Sequence, residues 1–100
     1  MDIVEIHEVE RRARSVGSHW FDRGTKRFFG SRVASYGYSG ADGHVYFVSS
    51  ERQDERSRRA YSVRVQRADG RIHTVGEFQA YATSSAAHRA AKRLAAGGAL

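Results

Sequence analysis

The sequence predicts a single α+β domain with the order α-β-β-β-β-α. About four antiparallel strands are packed on one face by an N-terminal and a C-terminal helix. Three observations predict it. Tyr61-Ser62-Val63-Arg64-Val65-Gln66 alternates apolar and polar residues, as a half-buried antiparallel strand does. Arg67-Ala68-Asp69-Gly70-Arg71 is strong turn chemistry, with Gly70 placed to accept positive φ in a tight hairpin. Ala87, Ala90, Ala91, Leu94 and Ala95 recur at helical spacing and make a narrow apolar face that can lie close to a sheet.

Taken in order, residues 2–16 read as the first helix. Ile6, Val9, Ala13 and Val16 draw one apolar stripe, acids crowd its first turns and Arg11, Arg12 and Arg14 its last. Glu8/Arg12 and Glu10/Arg14 are favourable i,i+4 pairs, and Gly17 is the stop signal. Residues 18–31 form an aromatic loop with a short helical turn begun by Asp22. The sheet spans 32–76. Its strands are expected at Arg32 to Tyr38, His44 to Ser49, Tyr61 to Gln66 and Ile72 to Val75, with turns at Ser39-Gly40 and Asp42-Gly43. A type I turn plus bulge at 67–71 sets Val63 against Val75 and Val65 against His73. Arg64, Gln66 and Thr74 then fall on the other face. The polar stretch Glu51 to Arg59 reads as a solvated loop or strand extension. The last helix covers 84–96, capped by Thr83 or Ser84 and ended by Gly97-Gly98, with a frayed tail at 97–100.

Composition sets further bounds. One hundred residues make one domain with a modest core, and 40% apolar against 28% charged residues argues against disorder. The absence of cysteine excludes disulfides, thiolate zinc sites and Cys nucleophiles. No run reaches the roughly 20 apolar residues needed to span a bilayer, and the acidic start is unlike a secretory leader. A cytoplasmic protein without a membrane partner is therefore expected, as a monomer or homodimer. The net charge of +6 favours polyanionic partners without implying sequence specificity. The bias of Arg over Lys has a second source, since a GC-rich genome enriches Arg, Ala and Gly together.

No catalytic constellation is expected. His7, His19, His44, His73 and His88 are scattered without metal-ligand spacing, and His19 beside Trp20 is the best placed of them. Gly40-Ala41-Asp42-Gly43 lacks the strand–glycine–helix setting of a phosphate loop. The reading is therefore of a non-enzymatic protein with no cofactor and no metal. The candidate binding surface is the basic side of the last helix. Arg89, Lys92 and Arg93, with Arg64 on a neighbouring strand and help from Arg27 and Arg32, are expected to contact phosphates. The same cations also suit the negative end of the helix dipole. Trp20, Phe21, Phe28 and Phe29 are needed mainly for the core, because the chain has few other large aliphatic side chains. Should Trp20, Phe28 and Phe29 be exposed, they would anchor a partner protein together with Arg56 and Arg58 of the polar stretch.

Five blocks carry a resemblance. They are Ser-His-Trp-Phe at 18, Arg-Phe-Phe-Gly-Ser-Arg at 27–32, Tyr-Phe-Val-Ser-Ser-Glu at 46–51, Arg-Arg-Ala-Tyr-Ser-Val-Arg at 58–64 and Thr-Val-Gly-Glu-Phe-Gln-Ala-Tyr at 74–81. Together they resemble an uncharacterised family of small bacteriophage and mobile-element proteins, especially of actinobacteria. The resemblance implies an accessory or host-interaction role, and a place in the host cytoplasm. A second resemblance is architectural: Arg89-Ala90-Ala91-Lys92 on a final helix is similar to a double-stranded-RNA-binding domain. The chain departs from that pattern by having Asp42-Gly43-His44 without a proline, one strand too many, and basic residues at mid-helix. The expectation is nucleic-acid binding, DNA ahead of RNA. The alternative is a protein-interaction module that inhibits or modulates a host or defence protein.

Overall fold

The computed structural model describes residues 2–24, 30–52 and 54–99. Among these, the elements are β1 (Asp2–Glu5), α1 (Ile6–Ser15), β2 (Arg32–Val33), β3 (Tyr36–Ser39), β4 (Val45–Glu51), β5 (Ala60–Gln66), β6 (Ile72–Val75) and α2 (Ser84–Ala95). The strands form one antiparallel sheet in the order β1-β3-β4-β5-β6, with β2 also paired to β4. The α+β class with an N-terminal and a C-terminal helix is therefore what the protein adopts.

The expected first helix is shorter than 2–16. Residues 2–5 are instead an edge strand, with Ile3 opposite Tyr38 and Glu5 opposite Tyr36. The apolar stripe through Ile6, Val9 and Ala13 is helical, whereas Ile3 lies outside it and is held by pairing with β3. The expected strand 32–38 is split in two. Val33 faces Ser49 and Tyr38 faces Tyr46, so residues 34–37 oppose only 47 and 48, a bulge that bends the strand. Gly37 sits at the tightest point: a Cβ there would lie 2.8 Å from the Tyr46 carbonyl and 2.9 Å from Phe47 Cβ.

Two turns share the tripeptide Ala-Asp-Gly, at 41–43 and 68–70. In each, the Asp carboxylate accepts from the amide two residues on (His44 and Arg71, both 2.9 Å), and the Gly takes positive φ. The second turn sets Val63 opposite Val75 and Val65 opposite His73, as its chemistry predicts.

The helices do not share a face of the sheet. Val9 and Ala13 of α1 pack with Phe21 on Val45 and Phe47. Ala87, Ala90, Ala91 and Ala95 of α2 pack on Tyr38, Val48 and Val63. Because successive strand residues point to opposite sides, Phe47 and Val48 serve the two cores separately. The one-face arrangement expected from the sequence is corrected accordingly. The side of β5 that carries Arg64 and Gln66 is not a solvent face: Gln66 Nε2 donates to the Val9 carbonyl at 2.7 Å and pins α1 to the sheet. Phe21 is buried. Trp20 is half-buried and meets Phe21 and Phe47 edge-on, with centroids 4.9 and 5.6 Å apart, so this part of the aromatic loop is core. Phe28 and Phe29 lie outside the described residues.

Candidate nucleic-acid interface

α2 begins cleanly because the Thr83 hydroxyl accepts from the Ala86 amide at 3.2 Å. It ends with Gly97 at positive φ, whose N–H donates to the Leu94 carbonyl. Its alanine face is consumed by the core, which turns Arg89, Lys92 and Arg93 to the exposed side. The helix carries no Asp or Glu. Among the described residues, no ion pair reaches any of these three cations. Arg93 Nε donates to the Ala99 carbonyl at 3.0 Å, and Lys92 Nζ lies 5.6 Å from the centre of the Tyr38 ring.

α1 has the same number of cations and a different arrangement. Arg11 and Arg12 both bond to Glu8, and Arg14 bonds to Glu10 at 2.7 Å. These exposed pairs stabilise the helix locally and leave little uncompensated charge. Arg11 first, and then Arg12, hold the Glu8 carboxyl down at about 2.

Arg64 does not belong to the exposed basic surface, which corrects the sequence expectation. It lies on the α1 side of the sheet, is 8% exposed, and bonds to Glu51 at 2.9 Å, to Ser49 Oγ at 2.9 Å and to the Thr74 hydroxyl. Its guanidinium carbon sits 5.4 Å from the Trp20 ring centre and 5.2 Å from that of Phe78. Glu51, read from the sequence as the start of a solvated stretch, is the buried end of β4 and also accepts from Ser49 and Ser62. Arg64 is thereby a core cation, unavailable to a phosphate.

Arg32 is exposed on β2 and faces Ser50, which places it on the α2 side. Arg27 lies outside the described residues. Arg56 and Arg58 are exposed on a loop organised by Asp54, whose Oδ1 accepts from the Arg56 and Ser57 amides. Those amides hold the Asp54 carboxyl below its usual range, Arg56 contributing most. His19 Nδ1 lies 2.9 Å from Asp22 Oδ2 at the surface. No group of three or more His, Cys, Asp or Glu side chains is placed to hold a metal ion among the described residues.

Arg52 and Arg59 bound the polar stretch that the sequence assigns to a solvated loop or strand extension and, in the rival reading, to a protein contact. Arg59 Nη1 donates to the Gly30 and Ser50 carbonyls and to Ser50 Oγ, at 3.0–3.1 Å. Burial, followed by repulsion from Arg32 and Arg52, pushes its guanidinium below its ordinary value. The signal was the cross-strand register rather than local composition, since Glu51 pairs with Ala60 and Arg52 and Arg59 each stand one residue beyond that pair.

No helix among the described residues is long and apolar enough to cross a membrane. No curated protein and no solved structure matches the chain. A family model does match, over residues 5–92, which take in α1, β2 to β6 and α2 as far as Lys92. The chain thus belongs to this family of unknown function, DUF7447.

Proposed function

We propose that the protein is a small phage-type accessory protein that binds nucleic acid, DNA ahead of RNA, through the outer side of α2 in the host cytoplasm. The observation that supports this reading is the contrast between the helices. α1 neutralises its arginines with Glu8 and Glu10, while α2 presents Arg89, Lys92 and Arg93 with no carboxylate partner among the described residues. Cations held in that state gain by replacing the counterions of a phosphate backbone. The phage-type assignment rests on the five sequence blocks, and the preference for DNA on the departures from the double-stranded-RNA-binding pattern. The rival reading, a protein-docking surface, keeps Arg56 and Arg58 on its exposed loop, but Trp20 is engaged with Phe21 and Phe47.

The test is a titration of generic duplex DNA, with an RNA duplex beside it, at several salt concentrations. Binding should weaken steeply with salt, and the Arg89→Ala/Lys92→Ala/Arg93→Ala variant should lower the log–log slope by about 2 to 3. Absence of binding at about 50 mM salt, where backbone contacts are strong, overturns the reading.

A further inference from the structure

The register of β2, β4 and β5 collects three arginines at one corner of the sheet. Arg32 pairs with Ser50 of β4, and β4 and β5 close on Glu51 opposite Ala60. One residue beyond that last pair stand Arg52 and Arg59. Arg59 shares the side of Ser50, because its Nη1 donates both to the Ser50 hydroxyl and, across to the β2 side, to the Gly30 carbonyl. All of the acceptors that position Arg59 are uncharged. Arg32, Arg52 and Arg59 make no ion pair among the described residues: Glu51, next to Arg52 in sequence, is committed to Arg64, and Asp54, which feels the charge of Arg52, accepts from the Arg56 and Ser57 amides. Arginine cannot shed its proton to relieve this crowding. Burial first, and then the neighbouring charges of Arg32 and Arg52, disfavour the Arg59 cation, an effect that Glu51 offsets only in part.

A cleft of about 730 Å³ opens beside this corner. It lies at the β2 edge, where Arg32 and Arg59 from the α2 side line it together with Ile6, Phe21 and Val33 from the α1 side; Arg52 is outside this lining but adjoins it at Gly30, where an added Cβ would lie 3.5 Å from the Arg52 carbonyl. Glu10 also lines it, but its carboxylate is held by Arg14 at 2.7 Å. The volume falls within the range of about 300–1,000 Å³ usual for small-molecule sites, and an apolar lining with a few convergent polar groups is the usual composition of such sites. Guanidinium groups match phosphate oxygens two at a time. A phosphodiester offers one negative charge, whereas a phosphomonoester approaches two near neutral pH. A triple cation at one point therefore suits the monoester, while the spaced cations of α2 suit successive diesters.

We propose that Arg32, Arg52 and Arg59 bind the terminal phosphomonoester of a nucleotide, with its nucleoside lying in the cleft against Ile6, Phe21 and Val33. The proposal rests on the nucleic-acid reading above and assigns a second, end-recognising site to the same protein. The site is reached by the end of a strand or by a free mononucleotide, which share this chemistry.

The experiment compares four probes on the full chain: a 5′-phosphorylated single-stranded oligonucleotide, its 5′-hydroxyl twin, a nucleoside 5′-monophosphate and inorganic phosphate. The phosphorylated end should bind about tenfold more tightly than the hydroxyl end, the scale of one well-made charge-assisted contact. Arg32→Gln/Arg52→Gln should abolish that preference and leave the salt-dependent affinity for the hydroxyl twin in place. These two positions avoid the backbone contacts of Arg59, so the variant retains its fold, which thermal melting verifies. The Arg89→Ala/Lys92→Ala/Arg93→Ala variant should do the converse, weakening both oligonucleotides while keeping their ratio. A mononucleotide that competes as well as the strand end supports the site and assigns it to free nucleotides. Equal affinity for the two ends, with no competition by the mononucleotide, overturns the proposal even if α2 binds DNA. Inorganic phosphate competing as well as the mononucleotide overturns the role given to the cleft.

Discussion

Tyr38 Oη lies 2.8 Å from His88 Nδ1, and the two rings meet edge-on with centroids 5.9 Å apart. This contact ties β3 to α2 beneath the proposed DNA-binding side. Burial, and secondarily the charge of Lys92, holds the His88 imidazole below its ordinary value of 6.5. Burial, followed by the Tyr36 phenol, pushes Tyr38 up to about 12.

The sign of the pH effect follows from the depressed His88 value. The stability linked to a depressed group is fully present above the unfolded value of 6.5 and is lost as pH falls through the lower folded value. Urea unfolding from pH 7 to 5 should therefore reveal a loss of stability that His88→Gln reduces. Tyr38→Phe should cost about 1 kcal/mol at pH 7, the usual net value of one hydrogen bond. A His88→Gln variant with the same pH profile as the parent chain would contradict the assignment.

The buried ion pair makes a second prediction. Glu51 is 2% exposed and Arg64 is 8% exposed, so removing either partner strands a charge in the core. Glu51→Gln or Arg64→Met should each cost about 3–5 kcal/mol by chemical denaturation. The double variant should recover a large part of that loss, since no unpaired charge remains. Additive losses in the double variant would show that the two side chains act independently.

The twin Ala-Asp-Gly turns provide an internal control. Gly43 has φ +81° and Gly70 has φ +87°, so alanine is strained at both, by about 1–2 kcal/mol. Their surroundings differ. A Cβ on Gly43 meets nothing nearer than Ala68 Cβ at 3.9 Å, whereas one on Gly70 would lie 2.9 Å from Val16 Cγ2 and 3.0 Å from the Arg12 carbonyl. Gly70→Ala should therefore be the more destabilising, because it also lifts α1 off the β5–β6 hairpin. Equal thermal shifts for the two variants would show that α1 does not rest on that turn.

What was legible in the sequence was local. The 67–71 turn carries its own register, and α2 carries its own cap, alanine face and glycine stop, so neither needs distant information. β1 was not legible, because Asp2–Glu5 becomes a strand only by pairing with residues more than thirty positions away. The Arg64 side of β5 was misread for a related reason. Alternation shows that Arg64 and Gln66 share a face, but it does not distinguish solvent from a second packed layer. Glu51, which neutralises Arg64, lies on the neighbouring strand, and Val9, which receives Gln66, lies on the first helix. The arginine corner stayed hidden because Arg32, Arg52 and Arg59 are brought together by strand pairing and by no motif.

The contrast between the helices gives the last prediction, which separates local charge from net charge. Arg11, Arg12 and Arg14 of α1 and Arg89, Lys92 and Arg93 of α2 are two sets of three cations, so replacing either set lowers the net charge equally. Long-range attraction to DNA depends on net charge and would fall similarly in both variants. Contact binding depends on cations that meet phosphates, and those of α1 are bonded to Glu8 and Glu10. The α2 variant should lose much of the salt slope, while the α1 variant should keep it and lose helix stability instead. That stability should itself fade in the parent chain under acid. The lowered Glu8 group contributes fully above its ordinary value of 4.5, and the contribution is lost as pH falls toward about 2. Equal salt slopes in the two variants would reduce the α2 surface to a diffuse electrostatic effect.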